Sequence, residues 1–138
     1  PADRAPRRYL VEELAAPGTE LIVGAVRDPA FGPVVLLGLG GVAAELGGEP
    51  VLRLAPLSVA RSQEMVRALP RAVLDGFRGA PPVDVPALAG VLRAVGQVVC
   101  DHDDGTELDL NPVRLTADGP VVLDAVVVAA PAKGDVPA

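Results

Sequence analysis

The apolar pattern of this chain changes period twice, and the order of those changes restricts the architecture more than any single motif. Up to residue 57, apolar runs at 7–15, 20–27 and 33–37 and an alternating stretch at 51–57 are separated by turn formers such as Pro17, Gly18 and a glycine loop. Such runs predict strands. From Ser58 the spacing lengthens. Ser58 can cap a helix carrying Met65, Val66 and Leu69 that stops before Pro70. Asp84 can cap a second helix, with Pro86 in its first turn and a stripe of Leu88, Val91, Leu92, Val95, Val98 and Val99 continuing to a core Cys100. Residues 74–82, rich in Gly and Pro, predict a loop between the helices. Alternation returns at 107–116 and 121–128, a hairpin around Ala117, Asp118 and Gly119. Strands, then helices, then strands imply an α+β fold, a mostly antiparallel sheet with two main helices on one face.

A chain of 138 residues suits one domain with its own core. Its only aromatic residues are Tyr9, Phe31 and Phe77, so Val, Leu and Ala must fill that core. The net charge of −6, with arginines scattered along the chain, argues against nucleic acid or an anionic membrane as the partner. A nucleotide stays compatible, because magnesium held on carboxylates can meet its charge. Cys100 is the single cysteine, which excludes an intramolecular disulfide and fits a reducing compartment. No signal peptide or spanning apolar run is apparent, so a cytoplasmic location is expected. The chain opens without Met and reaches an apolar run at once, which leads us to expect a segment of something longer. The Pro/Ala/Gly stretch 131–138 reads as a linker or disordered tail.

Chemistry concentrates in Glu107-Leu108-Asp109-Leu110-Asn111-Pro112. In a strand, alternate residues share a face, so Glu107, Asp109 and Asn111 point one way while Leu108, Leu110 and Val113 lie mostly on the other. An even-length turn in the hairpin places Asp124 opposite Asn111 or diagonal to it. Two carboxylates about 4 Å apart near a surface interact by about 4 kcal/mol, so such a patch invites a cation. Magnesium takes oxygen ligands, typically one or two carboxylates with waters and phosphate oxygens. Two readings stay open on this pattern alone: a magnesium site, or the solvated face of a half-buried hairpin.

Other motifs carry less. Gly38-Leu39-Gly40-Gly41-Val42-Ala43 matches the dinucleotide fingerprint in form, but Gly47, Gly48 and Pro50 follow before a proper helix could develop. A tight loop beside a ligand or partner, or a plain turn, accounts for it. No phosphate-binding P-loop sequence is present and Lys133 is the only lysine, so lysine contacts to any phosphate must come from elsewhere. His102 stands in a polar stretch after a helix and reads as a surface residue. Ser58 and Ser62 lack a nucleophile context.

Taken in order, several segments resemble one family: Leu10-Val11-Glu12-Glu13-Leu14, Gly18-Thr19-Glu20-Leu21-Ile22-Val23-Gly24, and Asp28-Pro29 through Phe31-Gly32-Pro33. Arg53-Leu54-Ala55-Pro56-Leu57, Leu74-Asp75-Gly76-Phe77-Arg78-Gly79, residues 107–113 and Val122-Leu123-Asp124 extend the likeness. It is a resemblance to the ATP-grasp domain of nucleoside-diphosphate-forming acyl-CoA synthetases, relatives of the succinyl-CoA synthetase β subunit, and it runs from about residue 9 to 128. It implies that residues 1–130 form the carboxy-terminal ATP-grasp lobe and that ATP lies between two lobes. It implies that Glu12 at the hinge, Ala15 just beyond it and Glu20 contact the nucleotide, Glu20 through the ribose. Asn111 and Asp124 match magnesium ligands, and Asp109 matches the acid paired with that asparagine. The implied cofactors are Mg2+ and ATP or ADP; the implied partners are the upstream lobe, CoA-binding and ligase domains bearing a phosphorylated histidine, CoA and a small carboxylic acid. His102 does not match that histidine, so the segment is expected to be inactive alone. Some relatives join this assembly to a protein lysine acetyltransferase, where the lobe serves as a regulatory or scaffold module; the sequence does not separate the two parents.

Overall fold

The protein is described by a computed structural model over residues 9–102 and 106–129. The alternating runs become strands β1 (Thr19–Asp28), β2 (Gly32–Leu39) and β3 (Val51–Leu54). After the helical stretch come β4 (Glu107–Thr116), β5 (Gly119–Val122) and β6 (Ala125–Val128). They form one antiparallel sheet in the order β3-β2-β1-β4-β5, with β6 also pairing β4. The two longer helices are α1 (Val59–Arg67) and α3 (Val85–Asp101), with the single turn α2 (Arg71–Leu74) between them. Both caps are as the sequence predicts. Ser58 Oγ accepts from Arg61 N at 3.2 Å, and an Asp84 carboxylate oxygen accepts from Ala87 N at 2.9 Å, each satisfying an orphan amide of a first turn.

The helices lie on one face of the sheet. Leu21 and Val23 of β1, Val35 and Leu37 of β2, and Val113 of β4 are fully buried there against Met65, Leu88, Leu92 and Val99. Each such side chain contributes about 1.5–3 kcal/mol on leaving water. Close approach of α3 depends on Gly96, where an added Cβ would meet Val35 Cγ2 at 2.9 Å. Arg27 ties the end of β1 to the end of α3, its guanidinium donating to Val99 O at 2.9 Å. That carbonyl is among those a helix C-terminus leaves without an intrahelical partner. Cys100 is half-buried rather than core, because it has turned to the flank of the stripe. Among the described residues, no helix is long and apolar enough to cross a membrane.

Three strand expectations need correction. Of the stretch 7–15, expected as a strand, residues 7–8 lie outside the described residues and 9–15 have no regular structure, with Val11 and Leu14 91% and 93% exposed. An apolar run becomes a strand only when it pairs with a neighbour, and these residues pair with none of the six strands. The stretch 51–57 keeps strand pairing only to Leu54, where Pro56 ends it. The stretch 121–128 is two strands, interrupted at Leu123 and Asp124. The expected tail 131–138 lies outside the described residues.

Leu92→Ala should lower unfolding free energy by about 3 kcal/mol in urea denaturation, whereas Leu54→Ala on the exposed edge strand should change it by less than about 0.5 kcal/mol. Equal effects would contradict the placement of the core on one face.

Candidate functional site

Pro112 organises the middle of the sheet. β4 has neighbours on both sides, and a proline there cannot donate a ladder hydrogen bond. On the β1 side, Leu21 pairs with Val113 and Val23 with Leu110, two steps along β1 against three along β4. Asn111 and Pro112 thus share the place opposite Ile22 as a bulge. The extra residue lets Leu110 and Val113, an odd number apart, both point into the core. On the other side the ladder opens between β5 and β6. There Asn111 N donates to Asp124 O at 3.1 Å and Leu123 N donates to Pro112 O at 3.0 Å.

The hairpin turn is even. Thr116 pairs with Gly119 across Ala117 and Asp118, and the Thr116 hydroxyl donates to Gly119 O at 2.9 Å. Asn111 therefore stands against Asp124, as alternation predicted. Asp109 pairs with Val126 on one side and with Gly24 on the other, where no side chain covers it. Glu107, Asp109, Asn111 and Asp124 are all exposed. The Asp124 carboxylate accepts from Ala125 N at 2.8 Å, which fixes one oxygen. Among the described residues, no three His, Cys, Asp or Glu side chains are grouped to hold a metal ion. The donor set offered is two carboxylates and an amide. That suits magnesium, whose remaining positions go to water and phosphate oxygens, and does not suit a metal needing a full protein cage.

Two hollows adjoin this patch. A groove of about 260 Å³ on the helix-free face is walled by Ile22, Val26, Val34, Leu36 and Val126 and edged by Glu107 and Asp109. A cleft of about 580 Å³ lies between residues 12–16 and the β4–β5 hairpin, lined by Glu12, Leu14, Ala15, Arg114, Val122 and Leu123. The cleft brings Glu12 and Ala15 beside the residue that precedes Asp124. Glu20 lies outside its lining, on β1 directly opposite Arg114.

Arg114 escaped the reading of the sequence. It donates to Glu20 Oε1 at 2.7 Å and, more weakly, to Ala15 O at 3.4 Å. Alternation alone could not place it, because the bulge shifts parity between Asn111 and Arg114. The glycine loop was also underread. It forms a 3-10 turn (Gly41–Leu46), and Gly40 N donates to Glu20 O at 2.9 Å. Arg78 holds that turn through Glu45 at 2.9 Å. Ser62 bonds back to its own helix at Ser58 O and Val59 O, and His102 Nδ1 lies 2.8 Å from Val98 O. Neither is arranged for catalysis.

With this geometry in view, comparison with known proteins is informative. The ATP-grasp domain family matches residues 2–129. The chain is 40% identical over 116 residues to the ADP-forming acetate–CoA ligase I of Archaeoglobus fulgidus, covering 83% of this chain and 17% of that protein. It is 38% identical over 109 residues to the β subunit of the ADP-forming acetate–CoA ligase I of Pyrococcus furiosus, covering 78% of this chain and 47% of the subunit. Among solved structures it resembles the dinucleotide-forming acetyl-coenzyme A synthetase 1 of Ca. Korarchaeum cryptofilum, in complex with coenzyme A and Mg-AMPPCP. That match has a TM-score of 0.73 and 42% identity, over 83% of this chain and 55% of the other. The chain thus spans a sixth to about half of the proteins it matches.

Because Asn111 and Asp124 meet through their backbones, Asn111→Ala and Asp124→Asn should leave the thermal midpoint within a few degrees of the parent, a change below about 1 kcal/mol. Circular dichroism melting checks this; a collapse of either variant would show that the side chains hold the strand break together.

Proposed function

The chain belongs to the ATP-grasp domain family, and from that premise we propose that it is the nucleotide- and magnesium-binding lobe of an ADP-forming acid–CoA ligase. The observation that carries this reading is the set of Asn111 against Asp124, with Asp109 two residues along β4 and the Glu12–Ala15 cleft alongside. An apolar floor beside a carboxylate edge complements a nucleotide, whose base is flat and whose phosphates arrive with a cation. Asn111, Asp124 and Asp109 would hold magnesium, which supplies charge neutralisation at the phosphates. Glu12 and Ala15 would contact the base through the hinge, and Glu20 the sugar.

In the assembled enzyme, a carboxylic acid, CoA and ATP are interconverted with acyl-CoA, ADP and phosphate, the phosphoryl group resting between steps on a histidine of another domain. The partners of this chain are then the other ATP-grasp lobe, which supplies lysine to the phosphates, and the CoA-binding and ligase domains. Single lysine content and a net charge of −6 support that division of labour, since this lobe brings carboxylates rather than cations to the site. Alone it would be inactive. The relatives reported above are acid–CoA ligases, which favours the synthetase over a scaffold module in an acetyltransferase fusion.

Titration calorimetry of the chain joined to its companion lobe provides the test. Asn111→Ala or Asp124→Ala should weaken Mg-ATP binding at least about 100-fold, as loss of a direct ligand does. If both variants bind Mg-ATP like the parent, the metal assignment is wrong.

A further inference from the structure

We propose that Arg114 is a positioning residue for sugar recognition, acting with the Gly40–Gly41 turn to fix the Glu20 carboxylate and the Ala15 carbonyl as one unit. This rests on the reading of Glu20 as the sugar-binding acid. One guanidinium reaches both groups, 2.7 Å to Glu20 Oε1 and 3.4 Å to Ala15 O, and so joins strand β1 to the segment that lines the cleft. Arg114 and Glu20 side chains are only 23% and 28% exposed, so water competes weakly for this charge-assisted bond. A planar guanidinium holds its donors in a fixed fork, which a flexible ammonium cannot reproduce.

The other carboxylate oxygen lies over Gly41, which leaves room for it. A Cβ at Gly41 would come within 2.6 Å of Glu20 Oε2, and Gly41 has φ of +50°, which disfavours a side chain in any case. Gly40 N donates to the Glu20 carbonyl at 2.9 Å, pinning its backbone. A carboxylate only accepts hydrogen bonds. With Oε1 engaged by Arg114, Oε2 is the oxygen left to accept from neighbouring hydroxyls, and a vicinal diol presents two such donors. Selection of a ribose over a deoxyribose nucleotide is therefore set by Arg114 and Gly41 through Glu20.

The test compares steady-state KM and kcat for ATP and 2′-deoxyATP in the assembled enzyme containing this chain, for the parent, Glu20→Gln, Arg114→Ala, Arg114→Lys and Gly41→Ala. Arg114→Ala should raise KM for ATP about tenfold, with a smaller effect on kcat, and should bring the ATP to 2′-deoxyATP preference down to that of Glu20→Gln. Arg114→Lys should restore part of the preference, and Arg114→Ala combined with Glu20→Gln should be no worse than Glu20→Gln alone. Gly41→Ala disturbs the same carboxylate from the other side, and loss of preference there supports the inference even if Arg114→Ala fails to fold. If Glu20→Gln loses the preference while Arg114→Ala and Gly41→Ala keep it, the positioning role is overturned and the Glu20 assignment stands. If Glu20→Gln keeps the preference, the assignment itself fails and the inference with it.

Discussion

A strand paired on both sides must find a donor for every rung, and Pro112 has none to give. The rest of the site follows from that missing N–H. Toward β1 the chain inserts one residue, so that Leu110 and Val113 both reach the core. Away from β1 the neighbouring strand is interrupted between β5 and β6, and Asp124, whose register the even hairpin turn sets, stands there against Asn111. A carboxylate and an amide thus meet at the one place in the sheet where the ladder is interrupted.

The two faces of the sheet have divergent chemistry. One is dry and packed by α1 and α3 around aliphatic side chains. On the other, Ile22, Val34, Leu36 and Val126 line an open groove that ends in the carboxylates of β4. Exposed apolar surface of this kind is costly in water and marks a place where something else binds. On the proposed function, a nucleotide held between this face and a second lobe would cover both halves of the surface, the apolar floor and the acidic edge.

The sequence made the layer order legible because periodicity survives without tertiary information: the runs at 20–27 and 33–37, the helices capped by Ser58 and Asp84, and the last hairpin are all where the pattern puts them. The acidic face of β4 was legible for the same reason. Pairing was not. Residues 9–15 carry a strand-like pattern but pair with no strand, and nothing local to 121–128 announces the break opposite Pro112 across the sheet. Arg114 was invisible because its partner lies 94 residues away and its face depends on a bulge. The nucleotide roles of Glu12, Ala15 and Glu20 came from family resemblance, not from any chemistry their spacing reveals.

The proposed metal position lies where Asn111 meets Asp124, beside Pro112 of β4. A crystal structure of the assembled enzyme with a non-hydrolysable ATP analogue and Mn2+ in place of Mg2+ tests it most directly, since manganese is located by its anomalous scattering. A manganese peak is expected within about 2–2.5 Å of Asn111 and Asp124 side-chain oxygens, beside the phosphates. Manganese and nucleotide bound with those two side chains left uncoordinated would contradict it.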